Sequence, residues 1–334
     1  MPSRIFSGIQ PTGDLHLGNY FGAIANWVRQ QEEVACVYCI VDYHAITLEH
    51  EPAQLRANSL RMAGDLLACG IDPAKAILLI QSDVPEHTEL AWVLSAVTSF
   101  GDLSRMTQFK EKGERQNFIS AGLFTYPVLQ AADILAYKAD RVPVGEDQSQ
   151  HLELTREIAR RFNGRFGKTF PEPRTLLTEA PRLMSLADPS KKMSKSLGDD
   201  HVVGLFEDPA RIAKKVKSAM TDTGPAQTPG VKSPGVANLF LLLRLAAPAA
   251  VVEGLEKDYA AGTLKYKALK DALGEHLLAF VAPIQERKRA IDADPGRVAR
   301  VLAEGADRAR AIAQATMREV RERIGAMALP RTAR

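Results

Sequence analysis

The chain has 334 residues, of which 46% are apolar and 25% are charged, and its formal net charge is +3. This length suggests two domains with a core in each, and the composition is ordinary for a globular protein. No apolar run is long enough to cross a bilayer, and the opening MPSRIFSGIQ has no signal-peptide core, so we expect a cytoplasmic protein without a membrane partner.

The first hundred residues alternate between strand-like and helix-like segments. Short runs rich in Ile, Val and Leu at residues 4–10, 34–42 and 76–82 are typical of strands buried on both faces. Helical patterns occupy residues 18–33 and 52–70, and the second begins with proline and closes on glycine. This alternation predicts an α/β fold with a parallel sheet and helices on its faces.

The first strand-to-helix loop, residues 8–20, reads GIQPTGDLHLGNY. In a parallel α/β fold, ligands bind beyond the carboxyl ends of the strands, where such loops lead into helices. Glycines let the backbone approach a ligand closely, and a helix start offers N–H groups to an anion. A merely tight turn would not require the Thr, His and Asn beside the glycines. The loop therefore favours a nucleotide site, although it is not the G-x-G-x-x-G of dinucleotide binders.

Cys36 and Cys39 form a C-x-x-C pair within the second strand-like run. Residues three apart on a strand point to opposite faces, and a zinc site would need a second pair of ligands. The remaining cysteine, Cys69, supplies no such pair, and three cysteines do not build a disulfide framework. We interpret them as buried structural residues of a reduced protein and predict no protein-held metal.

The strand pattern disappears after residue 205. A basic helix is predicted at 208–220 and a flexible connector at 221–235, and the rest is helical. The last helix repeats apolar residues at spacings of three and four from Leu302 to Met327, opposite an Arg-rich face.

Charge is divided unevenly between these two parts of the chain. Residues 1–200 contain 21 Lys and Arg against 25 Asp and Glu, or −4, whereas residues 201–334 contain 22 against 15, or +7. A basic second part is compatible with a nucleic-acid partner, and dispersed charge for solubility explains it equally well. We predict a Rossmann-like domain at 1–205 and an α-helical domain at 206–334.

Residues 191–196 read KKMSKS, which alone is most often a solvated loop. Together with PTGDLHLGN upstream on a parallel α/β domain, KMSKS (192–196) makes the chain resemble the class I aminoacyl-tRNA synthetases. The segments FSGIQPTG, DYHAIT, RMTQFKEK, YPVLQAADIL and VPVGEDQSQHLELTREIARRFN are similar to the bacterial tryptophanyl-tRNA synthetases, from about residue 4 to the final helix. The sequence does not support a dehydrogenase of the lactate dehydrogenase type or a P-loop enzyme.

The resemblance implies two reactions at one site. The carboxylate of L-tryptophan attacks the α-phosphate of ATP, with Mg²⁺ alongside, and the aminoacyl group then passes to the 2′-hydroxyl of the terminal adenosine of tRNA(Trp). The attacking carboxylate is already ionised, so the first reaction needs positioning and charge stabilisation and no general base.

The resemblance also implies the residues of the ATP site. HLGN ends in asparagine where the class signature has a second histidine, which is usual for the tryptophan branch. The residues expected to act on the reacting phosphates are Thr12, His16, Asn19, Lys112, Lys192 and Lys195. The residues expected to hold ATP are Gln10, Pro11, Thr12, Gly18, Asn19, Gly145, Glu146, Asp147, Leu183, Lys192, Met193, Ser194, Lys195 and Ser196.

The tryptophan pocket implied by the resemblance centres on Asp133, which is expected to accept a hydrogen bond from the indole N–H. The alternative is that Asp133 lies on a helix surface and faces water. Gln130 stands where bacterial relatives usually have methionine, and we hypothesise that its amide loosens discrimination against substituted tryptophans. The other expected members of the pocket are Phe6, Gly8, Tyr126, Val142, Val144 and Gln148, with Tyr126 and Gln148 addressing the ammonium group.

In this family the helical domain recognises the tRNA anticodon, and the tRNA lies across the two subunits of a homodimer. Cations at residues 211–217 are expected to contact phosphates, and residues 104–170 are expected to form the twofold dimer interface. Three alternatives stay open: a tyrosyl-tRNA synthetase, a nucleotidyltransferase acting on a small molecule, and an auxiliary or regulatory paralogue that binds tryptophan or tRNA.

Overall fold

The computed structural model describes residues 3–107, 119–145, 149–177, 181–221 and 231–326. Its sheet has the strand order β3-β2-β1-β4-β5, and every neighbouring pair is parallel. The order reverses between β1 and β4, which is where parallel α/β folds open a ligand crevice. The three strands predicted in the first hundred residues are confirmed. The strands are β1 (Arg4–Ile9), β2 (Ala35–Ile40), β3 (Ala76–Ile80), β4 (Arg141–Val144) and β5 (Arg174–Leu177).

Helices cover the sheet and form nearly all of the second half of the described chain. The helix predicted at 18–33 is present from Leu17 to Gln30, with a π-helical turn, Tyr20–Ile24, between its two α-helical segments, and residues 31–33 form a turn. None of the described helices is long and apolar enough to cross a membrane. The helices are α1 (Leu17–Asn19), α2 (Ala25–Gln30), α3 (Asp42–Ala45), α4 (Pro52–Cys69), α5 (Glu86–Ser95), α6 (Phe100–Ser104), α7 (Ala121–Leu135), α8 (Ser149–Phe166), α9 (Pro209–Ser218), α10 (Pro234–Ala246), α11 (Ala249–Ala260), α12 (Tyr266–Asp292) and α13 (Pro295–Ile324).

Side chains of the central strands enter two hydrophobic clusters on opposite faces of the sheet. Cys36 and Tyr38 belong to one cluster, whereas Val37 and Cys39 belong to the other. The two cysteines of the C-x-x-C pair therefore point away from each other, as predicted. All three cysteines are buried thiols.

The last helix, α13, returns to the α/β part of the molecule and lies along the edge strand β3. Its apolar stripe from Ala306 to Val320 is buried, as its periodicity predicts. The contact at Gly305 is so close that an added Cβ would lie 1.9 Å from the carbonyl oxygen of Leu78. Arg308 donates to the carbonyl oxygens of Pro73 and Ala76 at 2.6 and 3.4 Å, and Arg310 donates to that of Asp83 at 2.8 Å.

One of the two hydrophobic clusters contains residues from both sides of residue 205. It joins Leu15 and Leu17 of the glycine-rich loop region to Leu239 and Phe240 of α10. The division of the chain into domains at residue 205 stays a prediction, and packing couples the two predicted parts directly.

Candidate active site

The glycine-rich loop ends in a reciprocal cap at the start of α1. Nδ1 of His16 accepts a hydrogen bond from the Gly18 N–H at 3.1 Å, and Oδ1 of Asn19 accepts one from the His16 N–H at 3.1 Å. A Cβ at position 18 would lie 2.8 Å from the His16 ring, so glycine is needed for this cap. The H-L-G-N spacing therefore positions the imidazole as well as starting the helix.

His16 is neutral in this environment. Burial, followed by the charges of Lys195 and Lys192, lowers the pKa of His16 to about 4. Because Nδ1 accepts the capping hydrogen bond, the proton of the neutral ring lies on Nε2. His16 can therefore donate to an anion at neutral pH while keeping its cap.

The KMSKS loop lies directly against the glycine-rich loop, although the two are far apart in sequence. The backbone of Lys192 pairs with Met184, and the Met193 N–H donates to the Leu183 carbonyl at 3.0 Å. Met193 is buried in the core, which anchors the loop, while Lys195 extends to hydrogen-bond the carboxylate of Asp14. The structure thus brings both predicted signatures to one place.

A second feature of this region is a cavity of about 380 Å³ at the point where the strand order reverses. Its walls come from β1, β4 and the residue after it, the segment after β2, the helix that follows the glycine-rich loop, and α7. Among the residues predicted for tryptophan or ATP, those that line it are Phe6, Gly8, Gln10, Tyr126, Gln130, Asp133, Val142 and Gly145.

Asp133 lines this cavity and is 1% exposed, so it is not a surface residue. Its Oδ1 accepts hydrogen bonds from Nδ1 of His87 at 2.6 Å and Nε2 of Gln81 at 2.7 Å. Its Oδ2 accepts one from Nε2 of His44 at 2.8 Å. Burial alone would raise the pKa of Asp133, but the hydrogen bonds from His44 and His87 and the electrostatic attraction of these histidines together outweigh burial and hold the pKa at about 2. The carboxylate is therefore charged, and Oδ2 keeps capacity for one further donor.

None of these three donors was assigned a role from the sequence. His44 lies in DYHAIT, a segment quoted only for its resemblance. Gln81 and His87 follow β3, so the rule that ligands lie beyond strand ends indicated that loop too. Nε2 of His87 lies 2.6 Å from the Tyr137 hydroxyl, which extends the network behind Asp133.

The other predicted site residues differ in their exposure and in their contacts. The Tyr126 hydroxyl is 2.6 Å from Nε2 of His151, and burial raises the pKa of Tyr126 to about 12. Pro11 is buried, Thr12 is exposed, and the hydroxyls of Ser194 and Ser196 lie 2.9 Å apart. The predicted residues Lys112, Glu146, Asp147 and Gln148 lie outside the described residues, as does the side chain of Val144.

One of the cations predicted to lie on the basic surface at 211–217 is buried in the interior. Lys215 is buried, and its ammonium group lies 2.7 Å from Glu207 and donates to the Val202 carbonyl at 3.1 Å. The expectation that Lys215 contacts phosphate is therefore wrong, because the spacing of the lysines did not reveal which face packs on the core. The exposed cations of this helix are Arg211, Lys214 and Lys217.

Known proteins resemble the chain over nearly its whole length. Residues 1–282 match the family described as tRNA synthetases class I (W and Y). Tryptophan–tRNA ligase 2 of Streptomyces avermitilis is 48% identical over 328 residues, covering 96% of both chains. Tryptophan–tRNA ligase of Caldanaerobacter subterraneus subsp. tengcongensis is 47% identical, covering 96% of this chain and 98% of its own. A crystal structure of tryptophanyl-tRNA synthetase from Campylobacter jejuni, complexed with ADP and tryptophan, has a TM-score of 0.86 at 36% identity and covers 96% of this chain and 99% of that one.

Proposed function

The chain belongs to the class I tRNA synthetases of the tryptophan and tyrosine group, and from this premise we propose that it acts as a tryptophan–tRNA ligase. It activates L-tryptophan with ATP and transfers the aminoacyl group to the 2′-hydroxyl of the terminal adenosine of tRNA(Trp). The observation that carries the choice of amino acid is the charged, buried Asp133 in the wall of a cavity of about 380 Å³. A ring N–H donor is the group that this carboxylate suits.

The tryptophan pocket works by orientation. Oδ2 of Asp133 accepts the indole N–H, while Phe6 and Val142 lie along the ring. Tyr126 and Gln148 address the ammonium group. A substrate without a matching donor would leave the Asp133 carboxylate short of a partner in a buried site, which is the strongest basis for discrimination that a pocket has.

Adenylate formation follows from the electrostatics of the two loops. The tryptophan carboxylate attacks the α-phosphorus, and negative charge grows on the departing pyrophosphate. Lys192, Lys195 and the Nε2–H of His16 stabilise that charge, as positioned donors of this kind do for a few kcal/mol each. Lys112 joins them from the segment between α6 and α7.

ATP is held by its base, its ribose and its phosphates. Gln10, Pro11, Thr12, Gly18 and Asn19 form the phosphate side. Among the described residues, no cluster of three or more His, Cys, Asp or Glu is placed to hold a metal ion. We propose that Mg²⁺ is bound through the phosphates of ATP, whose charge it neutralises. The residues proposed for the adenosine side are Gly145, Glu146, Asp147 and Leu183, with Met193, Ser194 and Ser196 shaping the loop that closes on the phosphates.

The tRNA is bound by the basic helical part and by a homodimer. Arg211, Lys214 and Lys217 offer salt-sensitive phosphate contacts. The dimer interface at 104–170 is continued by two aromatic residues next to it in sequence, Trp92 and Phe100, which are 80% and 75% exposed. A twofold partner would cover them, and light scattering should show that Trp92→Glu dissociates the dimer.

The three reduced cysteines suit the cytoplasm that we propose as the compartment.

The decisive experiment is charging of a tRNA with the anticodon CCA, with each of the 20 amino acids supplied in turn. Charging with tryptophan alone is expected. Charging with tyrosine would instead identify a tyrosyl enzyme. Tryptophan or tRNA binding without charging would identify a regulatory paralogue, and tryptophan-independent ATP–pyrophosphate exchange would identify another nucleotidyltransferase.

A further inference from the structure

Lys195 is held by a carboxylate of the glycine-rich loop. Its ammonium group donates a hydrogen bond to Oδ2 of Asp14. The other oxygen of the same carboxylate, Oδ1, lies 2.7 Å from Nη1 of Arg61. Asp14 therefore sits between two cations, one on the KMSKS loop and one on α4.

The two cations differ in how firmly they are fixed. The Arg61 guanidinium also donates to the Gly13 carbonyl at 3.2 Å and to Oδ1 of Asn58 at 3.0 Å. Lys195 carries its charge on a flexible four-carbon chain, whereas the planar fork of Arg61 is locked by several acceptors. Lys195 is thus the member of the triplet that is able to leave.

Resting on the proposed function, we propose that Asp14 is a positioning residue that holds Lys195 away from the nucleotide until ATP binds, and that Arg61 then keeps the Asp14 carboxylate neutralised. Without Arg61, a bare carboxylate two residues before His16 would repel the incoming phosphates. With Arg61 in place, Lys195 transfers from Asp14 to the phosphates and the site gains a cation at the moment when charge must be stabilised.

The exposure of the pair suits a reversible hold. The side chains of Lys195 and Asp14 are 35% and 53% exposed, so water screens their attraction. Exposed ion pairs of this kind change equilibria by only a few-fold. The hold is therefore strong enough to give the loop a resting position and weak enough for ATP to displace it.

The test is the equilibrium affinity for ATP of variants at both ends of the triplet. Asp14→Asn should bind ATP roughly two- to fivefold more tightly, because Lys195 no longer has to be released. Arg61→Gln should bind ATP more weakly, because the Asp14 carboxylate then grips Lys195 harder and repels phosphate. A general loss of structure would shift both variants in the same direction. The KM for tryptophan should stay within twofold in both variants.

Two combined variants and one control isolate the mechanism. In a Lys195→Met background, Asp14→Asn should no longer tighten ATP binding, and in an Asp14→Asn background, Arg61→Gln should no longer weaken it. Asp188→Asn removes the partner of the neighbouring Lys191, 3.3 Å away in the same loop, and should leave ATP affinity unchanged.

Equal signs for Asp14→Asn and Arg61→Gln would overturn the proposal. So would an Asp14→Asn effect that survives in the Lys195→Met background. The proposed function fails separately, by the absence of tryptophan-dependent ATP–pyrophosphate exchange in the unsubstituted protein.

Discussion

Replacing Asp133 with asparagine should change tryptophan recognition in a way that the hydrogen bonds around it specify. Oδ1 faces two donors, from His87 and Gln81, whereas Oδ2 faces one, from His44. The amide oxygen should therefore occupy the Oδ1 position and the NH₂ group the Oδ2 position, where the indole N–H would meet a donor instead of an acceptor. A hydrogen bond to a charged group contributes about 1.5–3 kcal/mol, so the KM for tryptophan should rise roughly 10- to 150-fold.

The same substitution should also lower stability. Holding the pKa of Asp133 at about 2, against an ordinary value of 3.8, favours the folded, charged form by roughly 2 kcal/mol. Because the pKa is lowered on folding, this contribution is fully present above about pH 4 and is lost as the pH falls through about 2. Urea unfolding at pH 7 should therefore show a loss of about 2 kcal/mol in a protein that still folds.

The assay is tryptophan-dependent ATP–pyrophosphate exchange, run in parallel with 1-methyltryptophan, which lacks the ring N–H. The unsubstituted protein should reject the methylated substrate by a factor similar to the rise in KM, and Asp133→Asn should lose most of that discrimination. The KM for ATP should stay within twofold, since we propose that Asp133 contacts tryptophan and not ATP. If both proteins discriminate equally against 1-methyltryptophan, the indole N–H does not meet Asp133 and our reasoning about the pocket is refuted.

Three further substitutions test other parts of the site. Lys195→Ala should slow adenylate formation by about 2–4 kcal/mol in single-turnover kinetics while leaving the Kd for tryptophan unchanged, and a change confined to tryptophan affinity would contradict the role of the lysine loop. Gln130→Met should raise the preference in kcat/KM for tryptophan over 5-hydroxytryptophan about fivefold, the effect of one hydrogen bond of about 1 kcal/mol; identical ratios would exclude a role for the amide. Because folding lowers the pKa of His16 to about 4, the unfolded chain binds a proton at this residue below about pH 6.5 and the folded protein does not, which should cost about 2 kcal/mol of stability between pH 7 and pH 5. His16→Asn retains a capping side chain and should remove this contribution to the dependence of the free energy of unfolding on pH, as measured by urea unfolding.

The sequence predicted the architecture well because the signals for it are local. Strands buried on both faces, and helices that begin with proline and end at glycine, can be predicted from short stretches of sequence, and these elements are confirmed. The two signature loops were also predicted from the sequence, but their contact through Lys195 and Asp14 was not. Neither segment indicates which carboxylate the Lys195 ammonium group will contact. The three donors to Asp133 were missed for a related reason: His44 follows β2 whereas Gln81 and His87 follow β3, and only the folded sheet brings side chains from the ends of these two strands together.

The packing of α13 along β3 has a consequence for synthesis on the ribosome. The carbonyl oxygens of Pro73, Ala76 and Asp83, at the start of β3 and on either side of it, accept hydrogen bonds from Arg308 and Arg310 only once the last helix has emerged. At about 5–20 residues per second, roughly 10 to 50 s separate the making of β3 from the making of α13. During that interval the nascent chain presents an uncovered strand, which is a template for pairing with other chains. Slow codons or truncations ahead of residue 295 should therefore favour aggregation of chains that already contain β3 but lack α13.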